Sequence, residues 1–315
     1  MRRARYAVAA GACAAGAARL AYSAMSRRPP GGPKTWSRTN HRGEPVTLLE
    51  GPAVAAGALA GVLAQACLAS VSGSPGSAGW RRAAAMALGG AGAAAFGAYD
   101  DLAGSGDRRG FRGHLGALRQ GEVTTGAVKL GGIGVTGVVS AALAGGSSVD
   151  VILNAGLVAG SANLLNLFDL RPGRAIKVAA ASGVLLGAAG PDSVAAPLGA
   201  ALALLPEDLG ERAMLGDAGA NALGAMLGAS AAGLSRPTRI ALLAGIAGLT
   251  AASEKVSFTK VIARTPALNW LDMVGRRPAP QPSGTESPET GPSGTGPHAP
   301  QPLVTIPAQR PESSG

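Results

Sequence analysis

The sequence predicts an all-α bundle of about nine transmembrane helices, within a range of about eight to ten. Three observations lead to that fold class. The chain has 315 residues, of which 47% are hydrophobic, and its mean hydropathy is +0.23. Only 15% of the residues are charged, whereas a soluble domain carries about 25%. Apolar runs recur through most of the chain, and many approach the roughly 20 residues that a helix needs to cross a bilayer.

The apolar runs define the predicted spans in chain order. They are residues 6–25, 53–71, 83–99, 125–144, 151–168, 175–189, 194–205, 218–234 and 240–252. The sixth, seventh and ninth runs are short, so we expect them to extend into their flanks or to form broken helices buried among their neighbours. The 49 glycines would weaken helices in a soluble protein, but small residues let helices approach closely in a membrane.

Both ends of the chain need separate interpretations. Residues 1–25 combine a basic start with an apolar stretch, which a cleaved signal peptide would share, but Arg19 interrupts the stretch and favours a first span. Residues 253–275 predict an amphipathic helix at the membrane interface. The Pro, Gly and Ser content of residues 276–315 predicts a disordered tail. The predicted domains are therefore a membrane domain over 1–275 and a cytoplasmic tail over 276–315.

The net charge of +10 suggests an anionic partner. No surface of interleaved aromatic and basic residues appears, so we exclude nucleic acid and favour a membrane surface and anionic substrates. Cys13 and Cys67 lie inside apolar runs without metal or disulfide spacing, and are predicted to be small buried residues. Most of the 28 Lys and Arg residues fall in loops on one side of the predicted bundle. The positive-inside rule places that side in the cytoplasm and the N-terminus outside, in a multi-pass protein of the plasma membrane.

Polar residues collect where the third and fifth spans end on the cytoplasmic side: Asp100, Asp101, Asn163, Asn166 and Asp169. A carboxylate at a helix C-terminus costs about 0.3–1 kcal/mol, and a bound Mg²⁺ would reverse that sign. Asp100 and Asp101 point about 100° apart, so we expect one on a metal and the other on a lysine or another cation. Asn163, Asn166 and Asp169 share a helical face and could bind a nucleotide or sugar. The alternatives are a hydrated acidic helix end and amides that hold helices together.

Two further polar residues begin spans on the same side. Asp217 opens the eighth span between glycines that would let a diphosphate approach backbone N–H groups, although helix capping would also explain it. Lys129 lies near the start of the fourth span, where a phosphate partner or a lipid headgroup would compensate its charge.

The order of these motifs resembles the polyprenyl-phosphate N-acetylhexosamine-1-phosphate transferases, a glycosyltransferase 4-like family. Its members include phospho-N-acetylmuramoyl-pentapeptide transferase and UDP-N-acetylglucosamine–undecaprenyl-phosphate transferase. The matching pattern is Asp-Asp, Lys-Leu, Asn-x-x-Asn-x-x-Asp and Met-x-Gly-Asp-x-Gly, and Thr-Asn-His-Arg-Gly-Glu-Pro-Val at 39–46 resembles the first cytoplasmic loop. The resemblance covers roughly residues 38–234.

The resemblance implies specific roles for the polar residues. Asp217 would bind Mg²⁺, and Asp100 and Asp101 would act at the acceptor phosphate and the metal. Lys129 would contact phosphate, and Asn166 and Asp169, with Asn163 on the same face, would contact the UDP-sugar. The implied reaction is Mg²⁺-dependent transfer of an N-acetylhexosamine 1-phosphate to undecaprenyl or decaprenyl phosphate, with release of UMP, in cell-wall glycan (peptidoglycan) synthesis. The resemblance leaves open whether the protein forms a homodimer.

Two departures from the family pattern affect the expected substrate. The family's second acid after Asp169 is absent, since the chain continues Leu-Arg-Pro-Gly-Arg. The family's His-rich loop is replaced by residues 253–275, which offer Lys255, Lys260 and Arg264. We therefore predict a small UDP-N-acetylhexosamine donor rather than the muramoyl-pentapeptide. The alternatives are an inactive relative that serves as a membrane scaffold or regulator, and a transporter.

Overall fold

A computed structural model describes residues 2–71, 77–104, 120–188 and 194–278. Within these ranges the chain forms an all-α fold of twelve α-helices, with one short 3-10 helix and one β-hairpin. The helices are α1 (Arg2–Arg27), α2 (Pro33–Trp36), α3 (Glu50–Val71), α4 (Ser77–Ala103), α5 (Thr125–Ala144), α6 (Ser148–Phe168), α7 (Arg174–Ala188), α8 (Ala195–Leu209), α9 (Gly216–Ser230), α10 (Arg236–Ser253), α11 (Phe258–Arg264) and α12 (Pro266–Met273). The 3-10 helix is Ala231–Gly233. The hairpin pairs β1 (Ser37–Thr39) with β2 (Pro45–Thr47) in antiparallel register.

Local capping fixes where the site-bearing helices begin. Thr124 starts α5 by accepting the backbone N–H of Ala127 at 3.1 Å. Ser147 and Asp150 form a capping box at the start of α6, in which each side chain accepts the other residue's backbone N–H. Asp150 also accepts hydrogen bonds from Arg236 and Arg239, which attaches α10 to the same end of α6. Paired charges at this end therefore hold α6 and α10 together.

The core surrounds α9, nearly all of whose residues are buried. This helix packs against α3, α4 and α6, while α1 packs against α3 and α8. Close contact between α6 and α9 requires Gly224 and Gly228, because a Cβ at either position would clash with the backbone of α6 at Ser161 or Leu157. Small residues therefore let these two helices approach closely, as the glycine content of the sequence indicated.

Among the described residues, three helices, α3, α5 and α6, are long and apolar enough to cross a membrane. The pair formed by α10 and α11, bent by 95°, passes the same test when taken together. The structure therefore confirms an all-α protein with helices suited to a membrane, and the count of nine spans stays a prediction.

Two sequence expectations need correction. Cys13 and Cys67 are exposed instead of buried. In α1 the buried positions are Ala10, Ala14 and Ala18, spaced by four residues, and Cys13 falls outside that stripe. Residues 253–275 form two short helices instead of one, since Pro266 begins α12 and cannot continue α11. Most of the predicted tail, residues 279–315, lies outside the described residues.

Candidate functional site

A lysine and two carboxylates meet where α4, α5 and α9 come together. Nζ of Lys129 lies 2.7 Å from Oδ2 of Asp100 and 2.5 Å from Oδ2 of Asp217. All three side chains are mostly buried. The three residues come from separate helices and were each singled out in the sequence, and the fold brings them into direct contact. We call this group the Lys129 triad.

Asp101 has a different task from its neighbour Asp100. Its two carboxylate oxygens accept the backbone N–H groups of Asp217 and Ala218 at 3.0 and 2.9 Å. It therefore caps the N-terminus of α9 from another helix, where a negative charge is favourable. The alternative that Asp217 caps its own helix is wrong, because Leu215 occupies the N-cap position without a side-chain bond. Asp217 is thus available to face Lys129.

Two glycines make this arrangement sterically feasible. Gly216 has a φ of 59°, and a Cβ there would lie 3.0 Å from an Asp101 oxygen. Gly97 lets α4 touch the first turn of α9, because a Cβ at that position would clash with the backbone carbonyl of Asp217. Glycine is the residue that tolerates both a positive φ and so close a backbone approach.

Asp169 ends α6, and its backbone N–H donates to the carbonyl of Asn166 at 3.1 Å. Burial, reinforced by the carboxylates of Asp208, Asp217 and Asp101, raises the pKa of Asp169 well above its usual value. The nearby backbone N–H of Gly216 opposes that shift only in part. Asp169 is therefore close enough to the start of α9 for the carboxylates there to influence its pKa.

Asn163 and Asn166 are partly exposed on α6. Neither amide side chain makes a hydrogen bond to another residue in the described ranges, and nothing joins them directly to the Lys129 triad. Both amides can thus offer donors and acceptors to a ligand.

Three supporting residues were not assigned a role from the sequence. Arg38, on β1, donates a hydrogen bond to the backbone carbonyl of Asp101. Asn221 donates from Nδ2 to the carbonyl of Asp217 at 2.7 Å, one turn along α9. Glu50 is fully buried at the start of α3, and neither of its carboxylate oxygens has a hydrogen-bond partner in the described residues. The spacing of Asn221 from Asp217 was a usable signal, whereas the Arg38 contact depends on tertiary folding.

The hairpin reaches the site through the segment before α9. Thr47 accepts the backbone N–H of Met214 at 3.0 Å and donates its own to the carbonyl of Arg212 at 3.3 Å. This places β2 against the segment that leads into α9, and Arg38 lies on the strand paired with it.

A Mg²⁺ ion can be tested against this donor set. Among the described residues there is no group of three or more His, Cys, Asp or Glu residues that could hold a metal. Mg²⁺ nevertheless needs only one or two carboxylates when substrate phosphates and water complete its shell. Asp100 and Asp217 provide two carboxylates that converge on one ammonium group. Because both oxygens of Asp101 bind α9, Asp100 suits the second metal-facing position better than Asp101, which the sequence had suggested.

The last described residues are attached through a second, separate charge cluster. Asp272 accepts from Nε and Nη2 of Arg174 at 2.7 and 2.9 Å, and from Arg276 at 2.8 Å. Nη1 of Arg174 also donates to Thr259 at 3.0 Å. Lys177 donates to the backbone carbonyls of Asp272 and Val274, both at 2.7 Å. We call these contacts the C-terminal clasp, because they join α11 and α12 to the start of α7.

The clasp is continued by contacts to the hairpin and to α6. Arg277 pairs with Glu44 at 2.6 Å, and that hydrogen bond holds the pKa of Glu44 below its usual value. Phe258 of α11 stacks on Phe168 at the end of α6, with ring centroids 5.0 Å apart. By contrast, Lys255, Lys260 and Arg264 are exposed.

Comparison with known proteins adds no family to this picture. No protein-family model matches the sequence, and no curated protein matches it either. A function for this chain is therefore argued from its own residues and from the motif pattern they form.

Proposed function

We propose that the chain transfers an N-acetylhexosamine 1-phosphate from a UDP-sugar to a polyprenyl phosphate and releases UMP. One observation carries the proposal: Lys129 lies between Asp100 and Asp217 at the polar end of an apolar helix bundle. Ionisable groups near the hydrocarbon are costly and usually mark a functional site. A lipid-linked phosphate would reach such a site from the bilayer, while a nucleotide would reach it from water.

The charges of the Lys129 triad suit diphosphate chemistry. Two carboxylates and one ammonium carry a net negative charge, which an added divalent cation would convert to a net positive one. Asp100 and Asp217 would hold Mg²⁺, which neutralises negative charge on the diphosphate. Lys129 would donate to a phosphate oxygen as a compact cation.

The other site residues would orient the donor. Asp101 fixes the N-terminus of α9 and therefore the direction of the Asp217 side chain. Asn163 and Asn166 would hydrogen-bond the nucleotide or the sugar through their free amides. Asp169, at the end of the same helix, would offer its carboxyl group to the donor.

The reaction itself needs little proton transfer. A phosphate monoester has its second pKa near about 6, so the acceptor is largely dianionic at neutral pH. An acceptor oxygen forms a bond to the β-phosphorus, and the bond from that phosphorus to the bridging oxygen breaks. UMP leaves with the electron pair. Positioning and charge neutralisation then supply most of the rate, and no aspartyl-phosphate intermediate is needed. By its charge distribution, the site would face the cytoplasm.

The test is UMP release by the purified full chain with Mg²⁺, polyprenyl phosphate and a series of UDP-N-acetylhexosamines. Asp217→Asn keeps the size of the side chain and removes its charge, so we expect a loss of about 100-fold or more. Glu254→Gln, at an exposed acid at the end of α10, is the control and should retain turnover. Wild-type turnover in Asp217→Asn would remove that residue from the mechanism. If the unaltered chain releases no UMP from any donor, the scaffold or transporter alternative replaces this proposal.

A further inference from the structure

Three segments bring positive charge together beside the end of α6. They are the hairpin turn with His41 and Arg42, the loop after Asp169 with Arg171, and the segment with Arg276. Burial, and next the charge of Arg171, lower the pKa of His41, with smaller effects from Arg276 and Arg42 in the same direction. The carboxylate of Glu211 opposes them. Direct contacts join the same segments: Arg42 donates to the backbone carbonyl of Arg277 at 2.9 Å, and Asp272 accepts hydrogen bonds from both Arg276 and Arg174.

The acids in this region do not balance the cations. Asp272 is shared by Arg174 and Arg276, and Glu211 lies 2.9 Å from Arg42. Burial raises the pKa of a third acid, Asp208, while the backbone N–H of Gly173 and the charges of Lys177 and Arg276 oppose that rise. These three acids face five cations, which are Arg42, Arg171, Arg174, Lys177 and Arg276. The guanidinium of Arg171 donates to the backbone carbonyl of Leu170 at 3.2 Å. No ion pair joins Arg171 to an acid anywhere in the described ranges.

The Arg276 side chain supplies a second, independent sign of a missing acceptor. It is only 8% exposed, and one of its guanidinium nitrogens donates to Asp272. Its Nε is buried and has no hydrogen-bond partner among the described residues. A buried donor without an acceptor is destabilising, and more so when it is charged, so such an atom marks a place where a ligand would be stabilised.

Arg171 experiences the same excess of positive charge. Burial, followed by the charges of Arg174 and Arg276, lowers the pKa of Arg171, and Asp272 compensates in part. An anion placed among these side chains would relieve the repulsion.

We propose that His41, Arg171 and Arg276 form a binding site for a phosphate-bearing anion. Guanidinium groups match phosphate oxygens with paired N–H donors, and a neutral imidazole can add one more. The anion is either the diphosphate of a nucleotide sugar or the phosphate headgroup of a lipid. The diphosphate source rests on the proposed function, because Arg171 follows Asp169 by two residues and so adjoins the candidate site. The sequence instead offered Lys255, Lys260 and Arg264 as the cations in place of the family's His-rich loop, and these three side chains are exposed.

The first test measures binding of inorganic pyrophosphate and UDP to the purified full chain by calorimetry. If the bound anion is a diphosphate, Arg171→Gln should weaken the binding of pyrophosphate or UDP about tenfold or more. Arg171→Lys should restore part of the affinity. Arg82→Gln, at an exposed cation of α4, is the matched control and should bind like the unaltered chain. Arg171 has no acidic partner to lose, so elution as a folded species in size-exclusion chromatography is expected for its variants.

A second arm distinguishes the lipid source. The unaltered chain and Arg171→Gln are compared in nanodiscs of phosphatidylglycerol and of phosphatidylcholine, with thermal stability as the readout. A stabilisation by phosphatidylglycerol that Arg171→Gln loses, with unchanged UDP and pyrophosphate binding, identifies a lipid headgroup. Equal behaviour of the two proteins towards pyrophosphate, UDP and phosphatidylglycerol overturns the site.

These outcomes separate the anion site from the proposed function. If Arg171→Gln loses pyrophosphate binding while the unaltered chain releases no UMP, the anion site stands and the transferase proposal fails. If the unaltered chain releases UMP and Arg171→Gln matches it in KM and in every binding assay, the transferase proposal stands and the anion site fails.

Discussion

Asp272→Asn tests whether the C-terminal clasp depends on one buried carboxylate. Asp272 is 7% exposed and accepts three hydrogen bonds from Arg174 and Arg276 at 2.7 to 2.9 Å. Removing one partner of a buried ion pair costs about 3–5 kcal/mol, because the remaining charge is left uncompensated. Asparagine keeps one acceptor oxygen, so we expect about 3 kcal/mol, at the lower end of that range. This corresponds to about a 100-fold larger population of chains in which α11 and α12 are detached.

The assay is trypsin cleavage after Lys260, which lies within α11. When opening and closing are fast, the cleavage rate follows the population of the open form, so Asp272→Asn should be cut about 100-fold faster. Glu44→Gln is the control, since it removes the exposed pair with Arg277, and exposed pairs contribute little to stability. Cleavage of Asp272→Asn at the rate of the unaltered chain would refute the clasp as the attachment of α11 and α12.

The pH dependence of the clasp follows from the same contacts. Burial raises the pKa of Asp272, but the hydrogen bond and charge of Arg174, with the charges of Arg276 and Lys177, outweigh it and hold the pKa below its usual value. A carboxyl with a lowered pKa in the folded state contributes stability above its unfolded pKa of about 3.9, and this stability is lost as the pH falls through the folded pKa. Cleavage by an acid-active protease should therefore accelerate below about pH 4 in the unaltered chain, and less so in Asp272→Asn.

Three further predictions follow from the helix packing and the site. Gly97→Ala should destabilise the protein by about 1–3 kcal/mol in thermal-unfolding measurements and lower UMP release, because the added Cβ would meet the start of α9. Gly131→Ala is the control and should be neutral, because a Cβ there meets open space; equal stability of the two variants would contradict the close contact at Gly97. Val123 and Val149 are exposed, so cysteines at these positions can be labelled in a variant without the native cysteines. Val123→Cys should react with an impermeant thiol reagent only from the cytoplasmic side and Val149→Cys only from outside; labelling of both from one side would refute the predicted topology. Lys129→Gln should lower UMP release about 100-fold or more, and full turnover in this variant would remove Lys129 from the mechanism. Chelation of Mg²⁺ should abolish UMP release by the unaltered chain and by every variant, and full turnover without Mg²⁺ would remove the metal from the mechanism.

Helix positions were predictable because long apolar runs have few alternatives in this composition. The ends of α4 and α6 and the start of α5 fall close to where the sequence indicated, and the polar residues there do lie at helix ends. The contact of Lys129 with Asp100 and Asp217 was not predictable, since it depends on which helices become neighbours. The sequence suggested that these residues lie on one side and that one of Asp100 and Asp101 faces a lysine or another cation, but it did not identify Lys129 as the partner of both Asp100 and Asp217.

The errors have physical causes. The sequence places Asp217 at the start of a helix, but it does not show which side chain accepts the N–H groups there. In the structure Asp101, from another helix, accepts them, and Asp217 does not cap its own helix. An apolar run likewise does not reveal which face of a helix meets protein and which meets lipid, so Cys13 and Cys67 were misplaced. The clasp at Asp272 was missed because its partner Arg174 lies 98 residues away in the sequence.

The division of work between Asp100 and Asp101 restricts how α4 can move. The Asp100 side chain pairs with Lys129 on α5, while the Asp101 side chain accepts backbone N–H groups at the start of α9. Rotation of α4 about its own axis in either direction would pull at least one of these side chains off its partner. A single inserted or deleted residue between Gly97 and Asp100 would turn the pair by about 100° and uncouple both helices at once. The two aspartates thus fix the rotation of α4 about its axis, so the last turn of this helix tolerates no change in length without the loss of one of these contacts.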